Sequence, residues 1–105
     1  MKELSHWIDG RHVSGRSGRS ADVFNPATGE VQAKVPLASK DEVDDAVARA
    51  AAAQTKWAAV NPQRRARVLM EFVRLLNRDM DKLAEALSAE HGKTLPDARG
   101  DVQRG

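Results

Sequence analysis

Residues 61–92 read NPQRRARVLMEFVRLLNRDMDKLAEALSAEHG, and this stretch decides the fold. It opens with Asn61-Pro62, a helix-capping residue followed by the residue that best tolerates the first position of a helix. It closes at Gly92, the residue type that most often ends a helix. Between these ends, apolar residues recur at three- and four-residue steps, which predicts a helix with one apolar stripe. The stripe consists of Leu69, Phe72, Val73, Leu76, Met80, Leu83 and Leu87.

A straight helix over the whole of residues 61–92 would be long for a globular protein. Asn77 and Asp79 are residue types that begin helices, so we expect a break near them. Burying a large apolar side chain contributes about 1.5–3 kcal/mol, so leaving several exposed would exceed the stability of a small domain. The stripe therefore needs a partner, either the remainder of a larger protein or, by self-association, a second copy. The expected contact residues, called the stripe face below, are Leu69, Phe72, Leu76, Leu83 and Leu87.

Further helices are predicted on both sides of this stretch. Ser39 and Glu42 form the two ends of a capping box, which begins a helix that ends near Val60. Because the next helix follows directly, we expect the two to form an antiparallel helical pair. Beyond Gly92, Thr94 can cap a third helix, and the sequence stops while this helix is still short, so we expect it to be truncated.

The first 37 residues are predicted to form β-hairpins. Asp9-Gly10 separates two short β-prone runs, which is a strong hairpin signal. Strands over residues 22–24 and 31–35 flank a turn of residue types that turns prefer. The Gly/Ser/Arg-rich residues 14–20 are expected to be a mobile surface loop rather than a ligand site, since their glycines lack phosphate-loop spacing. The predicted fold is an α+β fragment, with hairpins over 1–37 and helices over 39–105.

The composition is that of one ordinary soluble domain at most, with 105 residues of which 41% are apolar and 30% charged. The net charge is +2, with acidic and basic residues interleaved, which does not imply nucleic acid. The sequence contains no cysteine, so a disulfide, a thiolate metal site and a cysteine nucleophile are excluded within these residues. No signal-like or membrane-spanning apolar run occurs, and we expect a cytoplasmic protein with no membrane contact.

Histidine and serine give little support for a metal or hydrolytic site. His6, His12 and His91 are the three histidines, and none stands at helical spacing from another. A metal site would need carboxylates from distant parts of the chain, so no metal is expected. Ser39 could be paired with a distant histidine, but its role as a helix cap explains it fully.

A cluster of three arginines and one single arginine are more informative. Arg64, Arg65 and Arg67 form a basic cluster at the start of the central helix. Such a cluster could contact phosphate or nucleic acid, but Glu71 follows closely and no aromatic residue interleaves as a stacking platform, so a solvated or subunit-contacting face is favoured. Arg104 could hold a carboxylate through two parallel hydrogen bonds. From the residues alone it is one more exposed arginine near the end of the chain.

Several segments in order carry a resemblance. They are WIDG at 7–10, FNPATGEV at 24–31, Ala46-Val47 with Trp57 ten residues on, RRARVL at 64–69 and EHGK at 90–93. Together they resemble the N-terminal end of the aldehyde dehydrogenase superfamily. The stretch GKTLPDARGDVQRG at 92–105 looks like the branch of CoA-acylating methylmalonate-semialdehyde dehydrogenases. The resemblance covers nearly the whole chain in register.

The resemblance implies a much longer α/β parent enzyme with a Rossmann-like NAD domain, a catalytic domain and an oligomerisation arm. In such enzymes a cysteine attacks the aldehyde to give a thiohemiacetal, hydride passes to NAD, and in this branch CoA takes the acyl group as CO2 is lost. We expect a homo-oligomeric parent, a homotetramer, whose NAD is bound by residues outside this chain. No catalytic or cofactor-binding residue is expected within the 105 residues, and the chain alone is expected to be inactive. Arg104 matches the arginine that in this branch is held to bind the substrate carboxylate.

Two other interpretations remain open. An aldehyde dehydrogenase that releases a free acid, of the betaine-aldehyde or succinate-semialdehyde type, would share most of these segments. A glutamate downstream that activates water would favour that class, and its absence would favour CoA transfer. The chain could also be a free-standing helical interaction module with the Arg64–Arg67 cluster as its contact, and a stop codon directly after Gly105 would favour this class.

Overall fold

A computed structural model describes all residues of the chain, Met1–Gly105. Short strands precede helices, as the α+β prediction requires. The strands are β1 (Lys2–Glu3), β2 (His6–Ile8), β3 (Arg11–Val13), β4 (Ser20–Phe24) and β5 (Val31–Pro36). The helices are α1 (Lys40–Ala58), α2 (Pro62–Arg78), α3 (Met80–His91) and α4 (Leu95–Arg104). The residues divide into two compact units, the first comprising Met1–Val23 and Val31–Val60, the second Phe24–Glu30 and Asn61–Gly105.

The first predicted hairpin is confirmed. β2 and β3 pair antiparallel, with His6 opposite Val13 and Ile8 opposite Arg11. Asp9 and Gly10 both take positive φ angles, 56° and 73°, which is what a tight turn between twisted strands requires.

The other three strands form one sheet in the order β1-β5-β4. β4 and β5 are neighbours, and the turn between them is closed by the Asn25 amide donating to the Glu30 carbonyl at 2.8 Å. β1 pairs with β5 in parallel, with Lys2 opposite Ala33. This strand was missed in the sequence because it is only two residues long, both exposed, with no apolar alternation to reveal it.

The capping box at the start of α1 is confirmed. The Glu42 amide donates to Ser39 Oγ and the Ser39 amide donates back to Glu42 Oε1, both at 3.2 Å. The loop over residues 14–20, expected to be mobile, is instead tied to the segment that leads into this helix. Ser17 donates through its hydroxyl to the Leu37 carbonyl, Arg19 donates to the Ala38 carbonyl, and the Arg16 amide donates to Glu42 Oε2.

In the second unit, the predicted break in the long apolar stretch is confirmed. α2 ends at Arg78 and α3 begins at Met80, with Asp79 between them. The Asp79 side chain does not cap α3, since its carboxylate accepts two hydrogen bonds from the Arg78 guanidinium at 2.9 and 3.1 Å. The location of the break was therefore correct, but its expected capping mechanism was wrong.

The helices of the second unit pack on one another. The helix that begins at Ser39 and the helix that begins at Asn61 fall in different units, and the extensive helix–helix packing of the second unit is α3 on α4. Ala84 of α3 and Ala98 of α4 are almost completely buried. Alanine adds little beyond its Cβ, so these two positions let backbones approach closely. Because the long apolar stretch forms two helices, the helix predicted as the third is the fourth in the structure, and it packs on α3.

Much apolar surface is uncovered in this chain. Its accessible surface is 8220 Å², whereas two compact globules of half its mass would together expose about 7,000 Å². Leu69 and Phe72 of the stripe face are 58% and 56% exposed, and Leu83 is also exposed. Leu76 and Leu87 are partly covered. None of the helices is both long enough and apolar enough to span a membrane.

Candidate functional site

Arg104, the predicted substrate-binding residue, lies in the last turn of α4. This helix forms because Thr94 caps its start, accepting the Asp97 amide on its hydroxyl at 3.4 Å, and because Pro96 sits where a missing amide hydrogen does no harm. The Arg104 side chain is 73% exposed. α4 therefore presents a guanidinium to the surroundings of this chain.

The turn that joins α3 to α4 is closely built. Gly92 ends α3 in the left-handed region with a φ of 87°, and its amide donates to the Ser88 carbonyl at 2.8 Å. A Cβ at Gly92 would lie 2.9 Å from Cγ of Pro26, so no larger residue fits without movement. The Ser88 hydroxyl donates to the Lys93 carbonyl at 2.6 Å. These contacts fix the backbone at Lys93, which lies beside α4.

Three charged side chains meet beside this turn, and we call them the charge triad: Lys93, Asp101 and Arg104. The Lys93 ammonium donates to Oδ2 of Asp101 and the Arg104 guanidinium donates to Oδ1 of the same carboxylate. The Lys93 ammonium therefore binds a carboxylate of the following helix, α4.

Asp101 is charged in this arrangement. The Lys93 hydrogen bond lowers the pKa of its carboxyl most, the Arg104 hydrogen bond adds to this, and partial burial opposes both. Two cations around one carboxylate leave the triad with a net charge of one positive unit. The pairing of Asp101 and Arg104 could have been found in the sequence, since residues three apart on a helix are neighbours. The contact of Lys93 with Asp101 joins the turn before α4 to α4 itself, and no short-range sequence pattern predicts it.

Gly100 makes room for the guanidinium. A Cβ at this position would lie 3.3 Å from Nη1 of Arg104, so the arginine side chain folds back over the bare backbone of its own helix. A guanidinium carries five N–H donors, and Asp101 accepts from only one nitrogen of the Arg104 guanidinium, Nη2. The remaining donors give the site the means to hold a carboxylate or another small anion. The Lys93 ammonium is held in an ion pair with Asp101, so what the triad offers a ligand is positive charge and hydrogen-bond donors.

The histidines are not brought together. His6 lies with its Nε2 buried, 3.7 Å from Oε2 of Glu42 and without a hydrogen bond. His12 bonds Ser5 through Nδ1 at 2.8 Å and meets the Trp7 ring edge-on. His91 is in the last turn of α3. No group of three or more metal-ligating side chains is present.

Neither Ser39 nor the basic cluster forms a second site. The Ser39 hydroxyl is engaged in the capping box, where it accepts the Glu42 amide and not a histidine. Arg64, Arg65 and Arg67 lie in the first turns of α2. Consecutive helix residues are rotated by about 100°, so Arg65 points away from the side that Arg64 and Arg67 share. The three guanidinium groups therefore do not converge on one point, and the cluster does not form an anion-binding site.

The comparisons with known proteins decide the family. A model of the aldehyde dehydrogenase family matches residues 12–105. The chain belongs to the aldehyde dehydrogenase family. A malonate-semialdehyde dehydrogenase of Listeria monocytogenes serotype 4b (strain F2365) is 45% identical over all 105 residues of the chain. Malonate-semialdehyde dehydrogenase 3 of Geobacillus kaustophilus is 48% identical over 104 residues. The chain spans 22% of the length of each of these relatives.

Solved structures of this family have the same fold over this segment. A crystal structure from Sinorhizobium meliloti 1021, described as a methylmalonate-semialdehyde dehydrogenase complexed with NAD, is 62% identical and superposes with a TM-score of 0.95. It covers 99% of this chain, which in turn covers 21% of that one. Methylmalonate-semialdehyde dehydrogenase from Oceanimonas doudoroffii is 39% identical, with a TM-score of 0.93 and the same coverage. The α+β fold of the chain is therefore that of the corresponding part of an aldehyde dehydrogenase.

Proposed function

We propose that the chain is the N-terminal segment of an NAD-dependent, CoA-acylating dehydrogenase acting on malonate or methylmalonate semialdehyde. The parent would convert semialdehyde, CoA and NAD into acyl-CoA, CO2 and NADH. The observation that carries this proposal is the 62% identity, along 99% of the chain, to a crystal structure described as a methylmalonate-semialdehyde dehydrogenase complexed with NAD. A cytoplasmic, homo-oligomeric parent, expected as a tetramer, is part of the same proposal.

Within this parent we assign Arg104 to the carboxylate of the substrate. A semialdehyde of this class carries a second acid group, and a fixed guanidinium matches a carboxylate through two parallel hydrogen bonds. The exposure of Arg104, its unused donors and its anchoring to Asp101 support this role.

The residues present do not fit a dinucleotide site. Such sites join two parallel strands through a crossover helix that begins at a glycine-rich turn. The parallel pair of this chain, β1 and β5, is connected through the β2–β3 hairpin and β4 instead. The sequence also has no cysteine to attack an aldehyde. We therefore propose that NAD, CoA and the nucleophile are held by other parts of the parent, and that the 105-residue chain alone produces no NADH.

The first experiment is to read the coding sequence beyond codon 105 and express the protein that it encodes. With methylmalonate semialdehyde and NAD, we expect NADH formation that depends on CoA and yields an acyl-CoA. NADH formation without CoA, with a free acid as product, would replace the proposal by the hydrolytic class. A stop codon directly after Gly105, with no dehydrogenase activity, would overturn it in favour of an interaction module.

Replacing Arg104 by methionine tests the substrate assignment in that full-length enzyme. Arg104→Met removes charged hydrogen bonds, so the KM for methylmalonate semialdehyde should rise roughly tenfold to a hundredfold. The KM for propanal, which has no carboxylate, should be unchanged. Arg99→Met is the matched control, since Arg99 is also an exposed arginine of α4 in an ion pair, with Asp81. An equal effect on both aldehydes would contradict the assignment.

A further inference from the structure

Asp101 sits between two cations that differ in their exposure. Its side chain is 33% exposed, that of Lys93 is 22% exposed and that of Arg104 is 73% exposed. The two cations use different oxygens of the carboxylate. Lys93 therefore restrains Asp101 from the protein side, and Asp101 restrains Arg104, which faces outward.

The backbone at Lys93 supports this order. Its carbonyl is held by the Ser88 hydroxyl, and the preceding Gly92 is packed against Pro26. The ammonium is thus supplied from a fixed turn rather than from a free surface segment. On the other side, Gly100 leaves space for the Arg104 guanidinium to lie on its own helix. The backbone thus accommodates both cations of the charge triad, Lys93 through the fixed turn and Arg104 through the glycine at position 100.

The net charge of the charge triad determines how strongly it attracts an anion. Asp101 and Arg104 alone would form a neutral pair, and a neutral pair attracts a carboxylate much less than a free guanidinium does. Lys93 compensates the charge of Asp101. The carboxylate can then hold the guanidinium in place while the triad as a whole remains positive.

We infer that Lys93 and Asp101 are positioning residues for substrate recognition: Asp101 orients Arg104, and Lys93 keeps Asp101 from cancelling the charge that Arg104 presents to the substrate carboxylate. This inference rests on the proposed function, in which Arg104 binds that carboxylate. It predicts selectivity for aldehydes that carry an acid group, not a change in the chemical step.

The test uses the full-length enzyme and the ratio of the KM values for methylmalonate semialdehyde and propanal. Lys93→Gln removes the charge of Lys93 but keeps a donor for Asp101, so the ratio should rise roughly threefold to tenfold through the semialdehyde alone. In the Lys93→Gln variant the negative charge of Asp101 is no longer compensated by Lys93, and adding Asp101→Asn removes that charge. The double variant should therefore return the ratio toward that of the unchanged enzyme, although it carries one more substitution.

Lys93→Arg and Lys56→Gln complete the series. Lys93→Arg keeps the positive charge and should keep the ratio near that of the unchanged enzyme. Lys56→Gln removes a charge from the last turn of α1, in the first unit, and should have no effect. A merely structural role of Lys93 would raise both KM values or lower kcat for both aldehydes, and the double variant would then be worse than the single one. Either result overturns the inference.

Including Arg104→Met separates this inference from the proposal beneath it. If Arg104→Met leaves the KM ratio unchanged, the substrate assignment itself fails. If Arg104→Met raises the ratio while Lys93→Gln does not, the assignment stands and the role of Lys93 is refuted.

Discussion

Glu42 is ionised at neutral pH although only 6% of its surface is exposed. The Ser39 and Arg16 amides both donate to its carboxylate, and these hydrogen bonds, Ser39 first, lower the pKa of Glu42 below its ordinary value of 4.5. The Ser39 bond could be predicted, because the capping box is a local pattern. The Arg16 bond could not, because it joins residues 26 positions apart and depends on where the loop folds.

The lowered pKa of Glu42 makes the first unit sensitive to acid. A group whose pKa is lower in the folded state stabilises that state above its unfolded pKa, and the contribution is lost as the pH falls below 4.5 and through the folded pKa. Glu42→Gln should therefore be less stable than the unchanged chain at pH 7, with a difference that shrinks as the pH falls from about 5 to about 3. Trp7 and Trp57 both lie in the first unit, so urea unfolding followed by tryptophan fluorescence reports this difference.

Asp41→Asn serves as the control, since Asp41 is an exposed acid in the same helical turn. A difference between Glu42→Gln and the unchanged chain that stays constant over this range would contradict the assigned cause.

At the scale of the elements, local patterns predicted where the helices begin and end. The apolar stripe, the break near Asp79 and the stop at Gly92 are all encoded within a few residues. What the patterns did not contain was which helices pack together. α3 and α4 pack on each other at Ala84 and Ala98, and a buried alanine looks the same in the sequence as an exposed one. The parallel strand β1 was missed for a similar reason, since its partner β5 is about thirty residues away.

The turn between α3 and α4 yields a prediction with an internal control. Gly29 and Gly92 have similar positive φ angles, 75° and 87°, but a Cβ would meet nothing within 4 Å at Gly29 and would meet Pro26 Cγ at 2.9 Å at Gly92. Gly29→Ala should cost about 1 kcal/mol in the free energy of unfolding, from backbone strain alone. Gly92→Ala should cost about 2–4 kcal/mol, because steric overlap adds to that strain.

Pro26→Ala separates the two contributions, because it removes the Cγ atom that the new methyl group would meet. In the Pro26→Ala background, Gly92→Ala should cost little more than Gly29→Ala does. Urea unfolding followed by far-ultraviolet circular dichroism, with hydrogen exchange at the α3 and α4 amides to localise the effect, provides the measurement. Equal costs for Gly29→Ala and Gly92→Ala would show that the contact with Pro26 carries no energy.

For the molecule as a whole, the sequence correctly indicated a surface that this chain does not cover. The stripe face is apolar by pattern, and Leu69, Phe72 and Leu83 are indeed exposed. Val43, Val47 and Trp57 of α1 are exposed as well. We predict from the sequence that the stripe face needs a partner, because burial of apolar surface drives folding. The sequence could not identify the partner, since the chain spans only 22% of the length of its relatives.

The uncovered stripe face predicts how the 105-residue chain behaves in isolation. Exposed apolar side chains at this density should associate between copies, so the mean mass in sedimentation should rise with concentration in the micromolar range. Leu69→Gln combined with Phe72→Gln should weaken this association, because glutamine keeps helix propensity but removes apolar area. Arg67→Gln introduces the same residue at an exposed position of α2 outside the stripe and should leave the association unchanged.

The same two substitutions should act in the opposite way on the full-length enzyme. There the stripe face is proposed to be buried against the rest of the protein, so replacing Leu69 and Phe72 by glutamine removes core contacts and buries amides without partners. Each substitution should then cost about 2–5 kcal/mol in stability, seen as a lower Tm. If the same substitutions weaken self-association of the 105-residue chain and lower the stability of the full-length enzyme, the stripe face is the contact surface in both proteins. A short chain that is monomeric at micromolar concentration and melts sharply would refute the need for a partner.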